Sequence, residues 1–113
     1  MSKIKNEYPC ALILTNDLIG GKWKLRILWH IVHGDNRFSL LAKAIPDISQ
    51  KMLTTQLKEL EHSGIIKRII INDNPKTIVY KLSEEQSELI GIMDTLCSYT
   101  KKYAKNKSIM VAD

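Results

Sequence analysis

The chain has 113 residues, 44% of them apolar, and a formal net charge of +5; this fits one domain with a modest core and favours a polyanionic partner, nucleic acid or an anionic membrane surface. No apolar run approaches the ~20 residues that span a bilayer. Met1 to Glu7 lacks the uninterrupted apolar core of a secretory signal, so a cytoplasmic protein is expected. Cys10 and Cys97 are too far apart to form a metal-ligand cluster by themselves and are expected as free thiols.

With no linker, low-complexity tract or internal repeat, residues 1–113 are read as a single domain. Residues 1–9 are polar and are expected to form a mobile arm. Cys10 to Ile19 suggests a short helix, stopped by Gly20-Gly21. Lys22 to Val32 carries Trp23, Ile27 and Ile31 at i, i+4, i+8, widened by Leu28 and Val32, and Gly34 ends it. Trp23 and Trp29 are expected in the core. Ser39 is read as the cap of a brief helix through Ala44, and Pro46 forces a stop by biasing Ile45 away from helix.

The next stretch has clear ends. Ser49 is a good N-cap, Ile48 and Leu53 have the spacing of a hydrophobic staple, and Gly64 supplies a left-handed terminator. Leu53, Leu57 and Leu60 form one apolar stripe. Lys51, Thr54, Thr55 and Lys58 lie on the far side, whose first two turns carry no carboxylate. Residues 39–64 are therefore a helix-turn-helix, the second member of which enters a major groove in such motifs.

Beyond Gly64 the pattern becomes β. Ile65 to Ile71 and Thr77 to Leu82 flank the turn cluster Asn72-Asp-Asn-Pro75, so residues 65–82 are read as a hairpin. Ser83-Glu-Glu-Gln86 has the form of a capping box, predicting a last helix from Glu84 to about Tyr103. Leu89, Met93, Leu96, Thr100 and Tyr103 follow a 3.5-residue seam, while Ile90, Ile92 and Cys97 lie outside it. That helix is more apolar than one small domain needs, which implies a partner. The fold class is thus α+β, mainly α: a winged helix-turn-helix with a two-stranded β-hairpin wing flanked by terminal helices.

Several segments carry a resemblance to a known family. Asp17-Leu-Ile-Gly-Gly-Lys-Trp-Lys-Leu25, Arg37-Phe-Ser39, Ile48-Ser-Gln-Lys-Met-Leu-Thr54 and Leu57-Lys-Glu-Leu-Glu61 occur in the order found in HxlR-type, MarR-like winged helix-turn-helix regulators. The resemblance covers roughly Cys10 to Leu96. It implies a homodimeric bacterial transcription regulator that binds pseudo-palindromic operator DNA and dimerises through its terminal helices, here about 83–104 with the first helix. Leu12, Leu89, Ile92, Met93, Leu96, Tyr99, Thr100 and Tyr103 are the candidate dimer interface. The family commonly shows a Cys-Pro pair near the N-terminus, whereas this chain has Pro9-Cys10.

Residue chemistry suggests how double-stranded DNA would be met. Gln50 suits adenine, Lys51 guanine or phosphate, and Thr54 and Thr55 thymine methyls or phosphates. Lys58 lies further along, against the backbone. Lys67, Arg68 and Lys76 of the hairpin, with Arg37 and Lys43, would hold phosphates and fix register. Lys22 and Lys24 beside Trp23 are further phosphate candidates. Cys10 lies near a helix N-terminus, where the dipole favours thiolate chemistry, and is the redox candidate; an inert cysteine at the interface is the alternative. A small-molecule effector between the dimer helices is also open.

No catalytic triad, phosphate-cradling glycine loop, metal-ligand set or cofactor motif is found, so no enzyme is expected. His30 and His33, at i and i+3, could at most bind a metal weakly. A winged-helix module that binds proteins without specific DNA recognition is the alternative class. Membrane-surface binding is disfavoured, because the basic cluster of the last helix sits at one end instead of along a face.

Overall fold

The computed structural model describes residues 4–112. Among them the order is α1 (Ala11–Ile19), α2 (Lys24–Val32), α3 (Phe38–Ala44), α4 (Gln50–His62), β1 (Ile66–Asp73), β2 (Lys76–Leu82), a 3₁₀ turn at Glu84–Gln86 and α5 (Glu88–Asn106). The two strands pair antiparallel. The molecule is a mainly helical winged helix-turn-helix.

Its core is organised by α2. Ile27, Leu28 and Ile31 of that helix join a single buried cluster. The cluster takes Leu41 from α3, Ile45 and Ile48 from the turn, Leu53, Leu57 and Leu60 from α4, Ile65 and Ile66 at the start of the wing, and Leu89 and Met93 from α5. Each such side chain contributes roughly 1.5–3 kcal/mol by leaving water. Trp23 and Trp29 are half-buried and pack against this cluster.

The ends of α4 follow from its sequence. Ser49 Oγ accepts a 3.0 Å bond from the Met52 N–H, and Ile48 and Leu53 are both buried. At the other end Gly64 has φ +82°. Its N–H bonds the Glu61 carbonyl and the Ile65 N–H bonds the Leu60 carbonyl, both at 3.0 Å. That pair of bonds, with Leu60 and Ile65 buried together, is a Schellman ending; an L side chain at Gly64 would be strained in this conformation.

The wing is pinned at two points. Tyr80 donates its N–H to the Asn36 carbonyl at 2.8 Å, and Ser83 donates to the Ile65 carbonyl at 3.0 Å. Opposed pairs share a face: Ile66 with Leu82, Arg68 with Tyr80 and Ile70 with Ile78. Ile66 is buried and Tyr80 and Leu82 pack on the core, so this face looks inward. Lys67 with Lys81 and Ile69 with Val79 form the outer face.

Several boundaries differ from the sequence reading, the strands among them: β1 runs on to Asp73 and β2 begins at Lys76, so that Asn72 and Asp73 are paired instead of lying in the turn. α2 begins at Lys24, not Lys22. α3 begins at Phe38 with Arg37 as its N-cap, because the Leu41 N–H already bonds the Arg37 carbonyl; Ser39 lies inside the first turn. The Ser83 hydroxyl makes no cap bond. Its N–H is held by the wing, the chain makes i→i+3 bonds from Gln86 to Ser83 and from Ser87 to Glu84, and α5 starts only at Glu88. At its far end α5 continues to Asn106 and closes with Ser108 at φ 56° and an Ile109 N–H bond to the Ala104 carbonyl. In the segment read as a mobile arm, residues 1–3 lie outside the described residues. Tyr8, however, donates its hydroxyl to Asp17 Oδ2 at 2.7 Å and accepts the Lys5 N–H at 2.9 Å, tying the segment to α1.

Candidate nucleic-acid interface

The leucine stripe of α4 is turned into the core, which leaves its opposite side outward. Gln50, Lys51 and Lys58 are exposed, and Thr54 and Thr55 are half-buried. Thr55 Oγ1 donates back to the Lys51 carbonyl at 2.9 Å, which uses its proton and leaves the oxygen able to accept. Helical spacing of 100° per residue puts Lys51, Thr54, Thr55 and Lys58 on one surface. The first turn of the helix carries no acid. This surface offers a fork of ammonium groups, hydroxyls, methyls and one amide, the set that meets phosphates and base edges.

Other elements carry exposed cations as well. Arg37 caps α3 and Lys43 stands in its last turn. Lys67, Arg68 and Lys76 are exposed on the wing, Lys67 on its outer face and Arg68 on the face shared with Tyr80. Lys81, which the sequence reading passed over, is exposed directly opposite Lys67. Like charges placed opposite each other across a sheet repel, and an anion between them relieves that repulsion. Alternation with the inward Tyr80 and Leu82 was the signal that marked Lys81 as outward.

Lys24 is a correction. Only 4% exposed, it lies on the buried stripe of α2 and donates to Glu59 Oε1 at 2.6 Å, so it is not displayed as a phosphate contact. Lys22 is exposed, with Nζ 4.7 Å from the Trp23 ring centroid; the Arg26 guanidinium approaches the same ring at 5.5 Å. Arg26 also makes two 3.1 Å bonds to Asp47 in the α3–α4 turn. The guanidinium bonds, together with the Asp47 backbone and the charge of Lys22, hold the Asp47 carboxyl below its ordinary value.

The candidate dimer surface divides. Leu89 and Met93 are buried in this chain's own core instead of standing on its exposed surface, a second correction: the first half of the seam packs on α2. Leu12 (75% exposed), Ile92, Leu96, Tyr99 (66% exposed), Thr100 and Tyr103 do face solvent, joined by Ile13 and Ile90. Cys10 is exposed at the N-cap of α1, and Cys97 is half-buried. A cavity of about 560 Å³ opens between α2 and α5, lined by Leu25, Trp29, Met93, Leu96, Cys97 and Val111 among others. His30 Nδ1 lies 2.9 Å from Asp35 Oδ2 and His33 Nδ1 lies 2.7 Å from the Trp29 carbonyl, so the two rings engage different partners. Among the described residues no helix is long and apolar enough to cross a membrane.

Comparison with known proteins gives this architecture its class. The family model of HxlR-like helix-turn-helix proteins matches residues 18–108. The chain belongs to that family: it is a transcriptional regulator of the helix-turn-helix type, not an enzyme. It is 47% identical over 95 residues to the HTH-type transcriptional regulator YtcD of Bacillus subtilis strain 168, covering 84% of this chain and 75% of the relative. The crystal structure of YtcD superposes with a TM-score of 0.77 at 44% identity, over 85% of this chain and 98% of that one. The redox regulator HypR in its oxidised form gives 0.76 at 35% identity, over 82% and 96% of the two chains. The reduced form of the transcriptional regulator YodB from B. subtilis gives 0.74 at 28% identity, over 88% and 97%.

Proposed function

We propose that the protein binds a pseudo-palindromic operator as a homodimer, with α4 of each protomer reading bases in the major groove. The observation that carries this reading is the outward face of α4, where Gln50, Lys51, Thr54, Thr55 and Lys58 stand on a helix whose other face is locked into the core. In this reading Gln50 to Thr55 contact bases, and Lys58, Arg37, Lys43, Lys67, Arg68, Lys76 and Lys81 hold the backbone. The exposed apolar residues of α1 and α5 join the two protomers.

Each phosphate that a lysine neutralises releases condensed counterions, so binding weakens as salt rises. Lys67→Ala is expected to make the slope of log K against log salt shallower by roughly one unit while base preference is unchanged. A gel-shift titration across salt checks this. An unchanged slope would remove Lys67 from the interface, and binding without salt dependence would favour a protein-binding winged helix instead.

A thiol response belongs to the same proposal. Cys10 is exposed at the start of α1, next to Leu12 and Ile13 of the surface assigned to dimerisation. HypR and YodB, which resemble this chain over most of its length, are known in oxidised or diamide-treated and in reduced forms. Modification of Cys10 by an oxidant or electrophile would alter dimer geometry and so the separation of the two α4 helices. Operator release by a Cys10→Ser protein under diamide, equal to that of the unmodified chain, would place the switch elsewhere.

A further inference from the structure

Helix α2 grips the reading half of the molecule through two ion pairs. Arg26 holds Asp47 in the turn that precedes α4, and Lys24 holds Glu59 in α4 itself. The second pair is the unusual one. The Lys24 side chain is 5% exposed and that of Glu59 19%, and Lys24 occupies an i, i+3, i+4, i+7 stripe with Ile27, Leu28 and Ile31. An apolar residue there would avoid the desolvation of an ammonium group. Buried ion pairs generally add little net stability over apolar residues of the same volume. In some proteins they supply instead a preference for one geometry.

The position of Glu59 shows which geometry is at stake. At 100° per residue it lies on the flank of α4, about 120° from the Leu53, Leu57 and Leu60 stripe. Leucines hold α4 against the core, but their contacts are non-directional and set its rotation less sharply than a directional bond does. A charged hydrogen bond on the flank is such a directional bond. Rotating a helix of ~5–6 Å outer radius by about 20° moves side-chain tips by about 2 Å. Hydrogen-bond lengths vary by only ~0.5 Å, so a base contact would be lost.

We propose that Lys24 and Glu59 are positioning residues: their ion pair fixes the rotation of α4 about its own axis and thereby which side chains meet the base edges. The pair also keeps the Glu59 carboxylate occupied by a cation at the margin of the DNA-facing surface. This rests on the reading of α4 as the DNA-reading helix.

The test compares unmodified protein with Lys24→Met/Glu59→Met, measuring thermal midpoint, salt slope and affinity for a selected operator and for random-sequence DNA. The double variant is expected to keep its thermal midpoint, salt slope and random-DNA affinity, and to lose operator affinity by about tenfold, the scale of one base contact. A specificity ratio equal to that of the unmodified protein overturns the proposal, as does a Lys24→Met protein whose slope becomes shallower by about one unit, the mark of a phosphate contact. Should the double variant not fold, Glu59→Gln and the exchanged pair Lys24→Glu/Glu59→Lys decide. Glu59→Gln turns the ion pair into a weaker bond from the ammonium to an amide oxygen and is expected to lower the ratio about threefold, with recovery in the exchanged pair. No fall in the first, or no recovery in the second, overturns it. Unmodified protein that prefers no DNA sequence removes the functional reading and this proposal together; a preference that survives in every variant removes the proposal alone.

Discussion

Leu57→Ala is expected to destabilise the protein by about 2–5 kcal/mol, the range for a buried leucine whose removal leaves a cavity. Leu57 is 2% exposed and belongs to the single cluster that joins α4 to α2, α3 and the wing. Domains of this size have only ~5–15 kcal/mol in total, so the loss is a large fraction of what holds the fold. Urea unfolding followed by circular dichroism should show a lower midpoint with an unchanged slope. A loss below ~1 kcal/mol would mean that the site collapses around the deletion and that α4 is not anchored through this stripe. Operator affinity, measured well below the new unfolding midpoint, should fall less than stability does, because Leu57 itself faces away from the reading surface.

The second large effect concerns assembly. Leu96→Glu combined with Tyr103→Glu places two charges on the exposed apolar side of α5. Neither residue belongs to the buried core cluster, so folding should be retained while self-association is lost. A monomer engages one half-site without the linked second event, which is expected to lower operator affinity by about 10²-fold or more. Sedimentation gives the mass and a gel-shift the affinity. A variant that remains dimeric would move the interface to α1 and its surroundings; one that becomes monomeric yet binds operator as before would contradict binding by a dimer.

The fold was legible wherever local chemistry and tertiary packing agree. Ser49, the Ile48 and Leu53 pair, and Gly64 define α4 in the sequence and in three dimensions, because each acts within one turn of its own position. The wing was legible for a similar reason: branched residues on both sides of an Asn-Asp-Asn-Pro turn leave few alternatives to a hairpin. The capping pattern at Ser83 misleads because the Ser83 N–H is drawn to Ile65, a partner eighteen positions earlier that a local pattern does not contain. For Leu89 and Met93 the seam shows that the helix has an apolar side without saying whether its own domain or another chain covers it, and here its own domain does.

Lys24 is the instructive residue among the site candidates. Beside Trp23 and Lys22 it looked like one more surface cation, yet it shares a stripe with Ile27, Leu28 and Ile31, and that spacing pointed inward. Its partner Glu59 lies 35 positions away, and which carboxylate it meets depends on the packing of α2 against α4. The outward face of α4 needed no such distant information. Once the leucines are inside, helical geometry alone puts Lys51, Thr54, Thr55 and Lys58 outside.

In-vitro selection of bound DNA, followed by footprinting of the chosen sequence, decides whether α4 reads an operator in a homodimer. The expected result is an inverted repeat protected by a dimer, with half-sites about 10–11 base pairs apart, centre to centre, or a multiple of that. A single isolated half-site covered by one protomer, or no preferred sequence at all, would contradict it.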